Sequence, residues 1–192
     1  MNVPPAKYED LGLELLLYGL QSPVNIGLTL RIAETFFFQV SILDLCGVLE
    51  DAGKLATVGD FSCGAMSRRS WRRLGGTAAL ADLRSGRRFI ATSIGKNATP
   101  LTEFQFFPGD LIALGNEYDG LPDDVTANAD AQLRVPTPAI WLPKEKSHSP
   151  IDPRRTAGVA RDGEPSLNVA VTAGIVCYAA YAQWLTRHGT EK

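Results

Sequence analysis

A chain of 192 residues can bury about 70% of its unfolded surface in one core, and no break in composition marks a second unit. With 45% apolar and 21% charged residues and a net charge of -2, the composition excludes a disordered chain and a protein held to nucleic acid by overall charge. Cys46, Cys63 and Cys177 are odd in number, widely spaced and without a CxxC or paired histidine. This argues against a disulfide framework or zinc site and for a reducing, cytoplasmic setting.

The first residues, Met-Asn-Val-Pro-Pro-Ala-Lys, lack the basic and apolar regions of a secretory signal. Residues 13–20 form a nearly continuous apolar run closed by Gln-Ser-Pro-Val-Asn, which predicts a buried strand entering a loop. From Gly27 the spacing predicts a helix with Leu28, Ile32, Ala33, Phe36 and Phe37 on one half of the wheel and Arg31 and Glu34 on the other. Residues 40–45 read as the next strand, completing a βαβ unit whose crossover implies parallel pairing.

Seven of the thirteen arginines, Arg68, Arg69, Arg72, Arg73, Arg84, Arg87 and Arg88, fall within twenty-one residues around Trp71. Taken alone, this segment reads equally as a basic patch for RNA or as solvated helix faces and a strand edge. Residues 77–85 are helix-like, 88–92 strand-like, 110–114 a strong buried strand after Pro108-Gly109, and 132–135 a fifth strand. The alternation predicts one α/β domain over residues 1–192, with a mostly parallel sheet and helices on both faces.

Six of the twelve prolines lie between Pro136 and Pro165, in a polar stretch where regular structure is not expected. A loop of that length acts as a lid, a binding loop or a decoration. Beyond it, Ser166 can cap a helix running through Leu185. Residues 169–185 carry no charge, yet Thr172, Gly174 and Gln183 interrupt them, so a buried or interface helix is favoured over a membrane span.

Neither GxGxxG nor GxxxxGK[ST] occurs, which disfavours an ordinary dinucleotide or P-loop fold. Ligands of open α/β sheets bind beyond the carboxyl ends of strands, here the loops after Leu114 and Val135. Three stretches stand at such places: Asn25-Ile26-Gly27 with Arg31, Gly115-Asn116-Glu117-Tyr118-Asp119-Gly120-Leu121-Pro122, and Val135-Pro136 followed by Ser166-Leu167-Asn168-Val169. In this order they resemble the three motifs of the SpoU/TrmH branch of the SPOUT RNA methyltransferases. Cys63-Gly64-Ala65 also falls where that family carries a small-Gly-Ala turn.

The resemblance implies a C-terminal trefoil knot, S-adenosylmethionine in the knotted loops, a homodimer, and methyl transfer to a ribose 2'-hydroxyl of RNA, tRNA favoured over rRNA. It implies no metal and no membrane. Arg31 would hold the nucleotide and stabilise charge on the reacting oxygen. Asn25 would orient Arg31 or contact the nucleotide across the dimer, although alone it reads as a helix N-cap. Glu117 would order the cofactor loops by accepting backbone N–H groups, and Ser166 and Asn168 would face the catalytic centre. The main chain of Leu114, Gly115, Asn116, Gly120, Val135, Pro136 and Leu167 would cradle the cofactor. The 29 residues between Pro136 and Ser166 depart from the family, making residues 137–165 an insertion in the cofactor-loop region. A knotted RNA-binding protein without catalysis and a small-molecule enzyme on an unknotted sheet are the readings from other classes.

Overall fold

The structure is a computed structural model and describes residues 8–68, 71–138 and 167–189. After a 3-10 turn at Tyr8–Leu11, β1 (Glu14–Tyr18), α1 (Pro23–Thr35) and β2 (Gln39–Leu43) form the expected βαβ unit. Next come α2 (Ala52–Ser62), α3 (Ala65–Arg68), β3 (Trp71–Leu74), α4 (Ala78–Arg84) and β4 (Phe89–Thr92). The chain continues through β5 (Thr99–Pro100), β6 (Leu111–Leu114), α5 (Asp123–Ala127), β7 (Ala131–Arg134) and α6 (Val169–His188). Seven strands pair in the order β3-β2-β1-β6-β4-β7-β5, and every pairing among the described residues is parallel.

The sheet is buried on both faces, which explains why β1 is apolar without alternation. On one face Leu15, Leu17, Ile42, Ile90 and Ile112 join Ile26, Leu30 and Ala33 of α1 and Ala173, Val176 and Ala180 of α6 in one core. On the other, Leu16, Leu43, Phe89, Leu111 and Ala113 join Leu80 and Leu83 of α4 and Val125 of α5.

Several elements differ from the sequence reading. Helix α1 begins at Pro23 rather than Gly27, because Ser22 caps it and proline at the first turn lacks only an N–H that the helix does not use. Its buried face carries Ile26, Thr29, Leu30 and Ala33, not the set read from the wheel, and Phe37 stands 46% exposed beyond the helix. Strand β3 escaped notice because it is an edge strand whose Arg72 and Arg73 are exposed. Helix α2 buries only Val58 and Ser62, β5 has two residues and α5 has five, too little for a periodic signal. Helix α6 starts at Val169 under an Asn168 cap, while Ser166 lies outside the described residues.

The arginine-rich segment is largely a structural device at the amino end of the sheet. The Glu14 side chain is 1% exposed and accepts from Ser41 Oγ at 2.5 Å, from Arg72 Nη2 at 2.9 and 3.0 Å, and from Arg87 Nη1. Arg88 forks onto Asp110 at 2.9 and 2.7 Å, Arg73 pairs with Glu50, Arg68 with Glu34, and Arg84 donates to the Asn128 carbonyl while lying over the Phe89 ring. Each described arginine of the cluster is therefore engaged within the fold, and Arg69 lies outside the described residues. The side chains of Arg68, Arg72 and Arg73 nonetheless remain 59%, 54% and 40% exposed.

Burial pushes the Glu14 carboxyl upward, but the hydrogen bonds from Ser41, Arg87 and Arg72 outweigh it and hold the group below its ordinary range. A lowered folded-state value means that this stability is present above the ordinary glutamate pKa of about 4.3 and is lost as pH falls through the folded value. Glu14→Gln removes the charge facing two arginines and is expected to cost about 3 kcal/mol, the low end for a broken buried pair because Arg72 keeps access to water. Urea unfolding at neutral pH measures the loss, and wild type and variant should converge as pH falls through the lowered folded-state value of Glu14.

Candidate functional site

The three sequence stretches converge at the carboxyl edge of the sheet. After β1, Ser22 Oγ accepts from the Asn25 N–H at 3.3 Å and closes the first turn of α1. After β6, the chain doubles back between Asn116 and Gly120, whose backbones exchange hydrogen bonds at 3.2 and 3.1 Å. A Cβ on Gly115 would lie 2.1 Å from the Gly120 carbonyl carbon, so only glycine fits there. Asn116 Oδ1 accepts from the Tyr118 and Asp119 N–H groups at 2.8 Å each, so its side chain serves the loop itself.

This tight loop carries Glu117 toward the N-terminus of α1. The carboxylate accepts from the Gln21 N–H at 3.2 Å, the Ser22 N–H at 3.3 Å and Asn25 Nδ2 at 2.7 Å. A negative group is favoured beside a helix N-terminus, where the backbone N–H groups and the dipole point outward. The other side of the Asn25 amide is also used, because Asn168 Nδ2 donates to Asn25 Oδ1 at 3.1 Å. Asn168 caps α6 by accepting from the Ala170 and Val171 N–H groups at 2.9 and 3.4 Å. The orientation of both amides follows from their partners. An ionised carboxylate only accepts, so Nδ2 of Asn25 must face Glu117, and the cap of α6 leaves Asn168 only Nδ2 to donate.

Asn25 is 7% exposed, so the hub is nearly closed to water at its centre. It links segments 92 and 143 residues apart in sequence. Two expectations for Asn25 are corrected by this geometry. The N-cap is Ser22, three positions earlier, and the Asn25 amide is bonded to Glu117 and Asn168 rather than to Arg31.

Arg31 stands away from the hub on the exposed side of α1. Its Nη1 donates to Cys63 Sγ at 3.3 Å. Beside it, Arg68 forks onto Glu34 at 2.8 and 2.7 Å and donates to the Cys63 carbonyl at 3.1 Å. Gly27 lets α1 and α2 approach closely, since a Cβ there would lie 2.6 Å from the Val58 carbonyl oxygen and 2.8 Å from Phe61 Cβ.

The remaining expected positions lie along the same edge. Leu114 is buried at the end of β6, Gly115 and Gly120 frame the doubled loop, Val135 and Pro136 follow β7, and Leu167 is 37% exposed before the α6 cap. Strand order places β4 between β6 and β7, and so brings in a turn that sequence reading passed over. In that turn the Ser93 N–H reaches the Leu133 carbonyl at 2.8 Å, the Gly95 N–H reaches Ser93 Oγ at 3.0 Å, and Ile94 is 43% exposed. Its only signal in the sequence is Thr-Ser-Ile-Gly directly after a strand. Ser166 and most of the 137–165 stretch lie outside the described residues. A cavity of about 370 Å³ lined by Arg72, Asp82, Ser85 and Arg87 lies near the opposite, amino end.

Comparison with known proteins points in one direction. The model of the SpoU rRNA Methylase family matches residues 12–140. The chain is 31% identical over 131 residues to a tRNA (cytidine(34)-2'-O)-methyltransferase of Beijerinckia indica subsp. indica, covering 64% of this chain and 75% of that one. A solved structure from work on the 2-OH methylation of C/U34 on tRNA superposes with a TM-score of 0.70 at 29% identity, covering 91% of this chain and 97% of the other. The SpoU methyltransferase AviRb of Streptomyces viridochromogenes, solved with AdoMet, shares the fold with a TM-score of 0.67 at 19% identity over 95% of this chain and 63% of its own.

Asn25→Asp tests the hub. It sets a second carboxylate against Glu117 where an amide stood 2.7 Å away. Two like charges at that distance raise the folded-state pKa of the pair, so the variant should lose more stability than Asn25→Ala at pH 7, and the deficit should shrink as pH falls toward about 4. Thermal unfolding of both variants across pH measures the difference.

Proposed function

The chain belongs to the SpoU methylase family, and on that premise we propose that it is a cytoplasmic homodimer that transfers a methyl group from S-adenosylmethionine to a ribose 2'-hydroxyl of tRNA. The observation that carries this reading is the Glu117–Asn25–Asn168 hub, which gathers the three resembling stretches at one sheet edge. The tRNA substrate, rather than rRNA, is supported by the two relatives at 31% and 29% identity, both described by methylation of tRNA.

The carboxyl edge suits the cofactor. Main-chain groups of Leu114, Gly115, Asn116, Gly120, Val135, Pro136 and Leu167 would hold it among apolar side chains, the combination of apolar lining and a few directed polar groups that small-molecule sites use. In this reading residues 1–192 are one domain, the chain beyond β7 forms the trefoil knot, and residues 137–165 are an insertion beside the cofactor loops. When bound, S-adenosylmethionine supplies a methyl carbon made electrophilic by its sulfonium, and the carbon–sulfur bond breaks as the bond to the ribose oxygen forms.

The chain's own residues then have modest tasks. Glu117 and Asn25 hold the loops after β6 and β1 in register, so that the reacting atoms meet without reorganisation. A guanidinium is a poor proton acceptor, so Arg31 acts through charge rather than as a base. It binds the nucleotide phosphate and stabilises negative charge growing on the 2'-oxygen, while the hydroxyl proton leaves to the phosphate or to water. Asn168 holds the Asn25 amide at the start of α6, and Ser166, two residues earlier in the sequence, would contribute its hydroxyl. Val171, Ile175 and Tyr178 form an exposed apolar stripe on α6, 51%, 36% and 62% exposed, which a second copy of the chain covers in this reading. The same stripe explains why α6 passes for a membrane span by composition while its other face lies in the core.

Incubating the protein with tRNA and isotopically labelled S-adenosylmethionine, then digesting the RNA for mass spectrometry, should yield a labelled 2'-O-methylnucleoside. Arg31→Ala is expected to lower the rate about 100-fold, the scale of losing one group that stabilises a developing oxyanion, with cofactor affinity within a few-fold. Absence of both labelled RNA and thermal stabilisation by millimolar S-adenosylmethionine would contradict the proposal.

A further inference from the structure

Cys63 has an unusual backbone. It closes α2 at φ 49°, in the left-handed region, and is followed by Gly64 at φ 86°. Glycine is the residue that such a C-cap favours, because any Cβ there is strained. Among the described residues, Phe37 is the other non-glycine with positive φ. A side chain kept at this position calls for a use, and the structure shows one in the contact of Sγ with Arg31 Nη1 at 3.3 Å.

The surroundings fix that sulfur in place. The Cys63 N–H donates to the Asp60 carbonyl, and its own carbonyl accepts from Arg68, whose guanidinium is locked by two bonds to Glu34. Glu34 lies three residues after Arg31 on α1, the spacing at which an acid and an arginine pair across a helix turn. Arg68 takes that carboxylate in a fork, and among the described residues Arg31 forms no ion pair. A thiol sulfur is a weak acceptor compared with a carboxylate. It sets the direction of the guanidinium without neutralising it, whereas a carboxylate would hold the same group and compete with an anionic substrate.

We propose that Cys63 is a positioning residue for methyl transfer, its sulfur aiming the Arg31 guanidinium at the RNA while leaving the positive charge for the phosphate and the reacting oxygen. This rests on the reading of Arg31 given above. It assigns a role to the small-Gly-Ala turn that packing alone does not.

The test separates positioning from backbone stability. Cys63→Gly relieves the left-handed strain, so it should keep or raise the melting temperature, yet it removes the acceptor and should lower kcat about ten-fold with KM for S-adenosylmethionine unchanged. Cys63→Ala should lose rate to a similar degree, whereas Cys63→Ser, which restores an acceptor, should stay within about three-fold of wild type. In the Arg31→Ala background, Cys63→Gly should cause no further loss, since the two act as a unit. Wild-type rates in both Cys63→Gly and Cys63→Ala would overturn the proposal, as would equal losses in Cys63→Ser and Cys63→Ala. Undiminished transfer by Arg31→Ala would instead overturn the underlying reading of Arg31.

Discussion

One carboxylate sets the geometry of the site. Glu117 accepts two backbone N–H groups and an amide from the segment that opens α1, and that amide in turn receives Asn168 from the cap of α6. The arrangement uses groups that a helix start leaves unsatisfied, so binding a charge there completes the fold rather than opposing it. It also depends on Gly115, because a side chain at that position would collide with the Gly120 backbone and prevent the loop from presenting Glu117. Three loops that are far apart in the chain thus share one anchor.

The two ends of the sheet divide the charged residues between them. At the amino end, Glu14 and Asp110 are buried and answered by Arg72, Arg87 and Arg88, a network that holds the strand starts together. Removing any one partner leaves a buried charge exposed to a low-dielectric interior, so the arginines there are fixed by the carboxylates they face. At the carboxyl end, Glu117 is tied to neutral donors, while Arg31, eight residues further along α1 than Pro23, rests on a thiol.

Much of this was legible in the sequence because parallel strands buried on both faces leave unbroken apolar runs. Residues 13–20 and 110–114 are nearly such runs, broken chiefly by Glu14 and Asp110, whereas 132–135 (Gln-Leu-Arg-Val) alternates; the structure places β1, β6 and β7 within these stretches or one residue away. The motif residues were legible as a set through their order along the chain, with Asn25 in the first turn of α1, Glu117 three residues after β6 and Asn168 directly before α6. Their mutual bonding was not, because no local pattern records a contact across 143 residues. The partners of the arginine cluster were hidden for a related reason. Composition shows the cations of residues 68–88 but not the distant Glu14 and Asp110 that engage three of them. The role of Cys63 was hidden in its backbone angle, which sequence does not carry.

The central claim is that Glu117 organises a binding site and does more than stabilise a loop. Calorimetric titration of S-adenosylmethionine into the wild type and into Glu117→Ala, both confirmed folded, tests it directly. Affinity should fall at least about ten-fold in the variant, the equivalent of one charge-assisted hydrogen bond lost from the organisation of the site. Equal affinity in the two proteins would contradict the account.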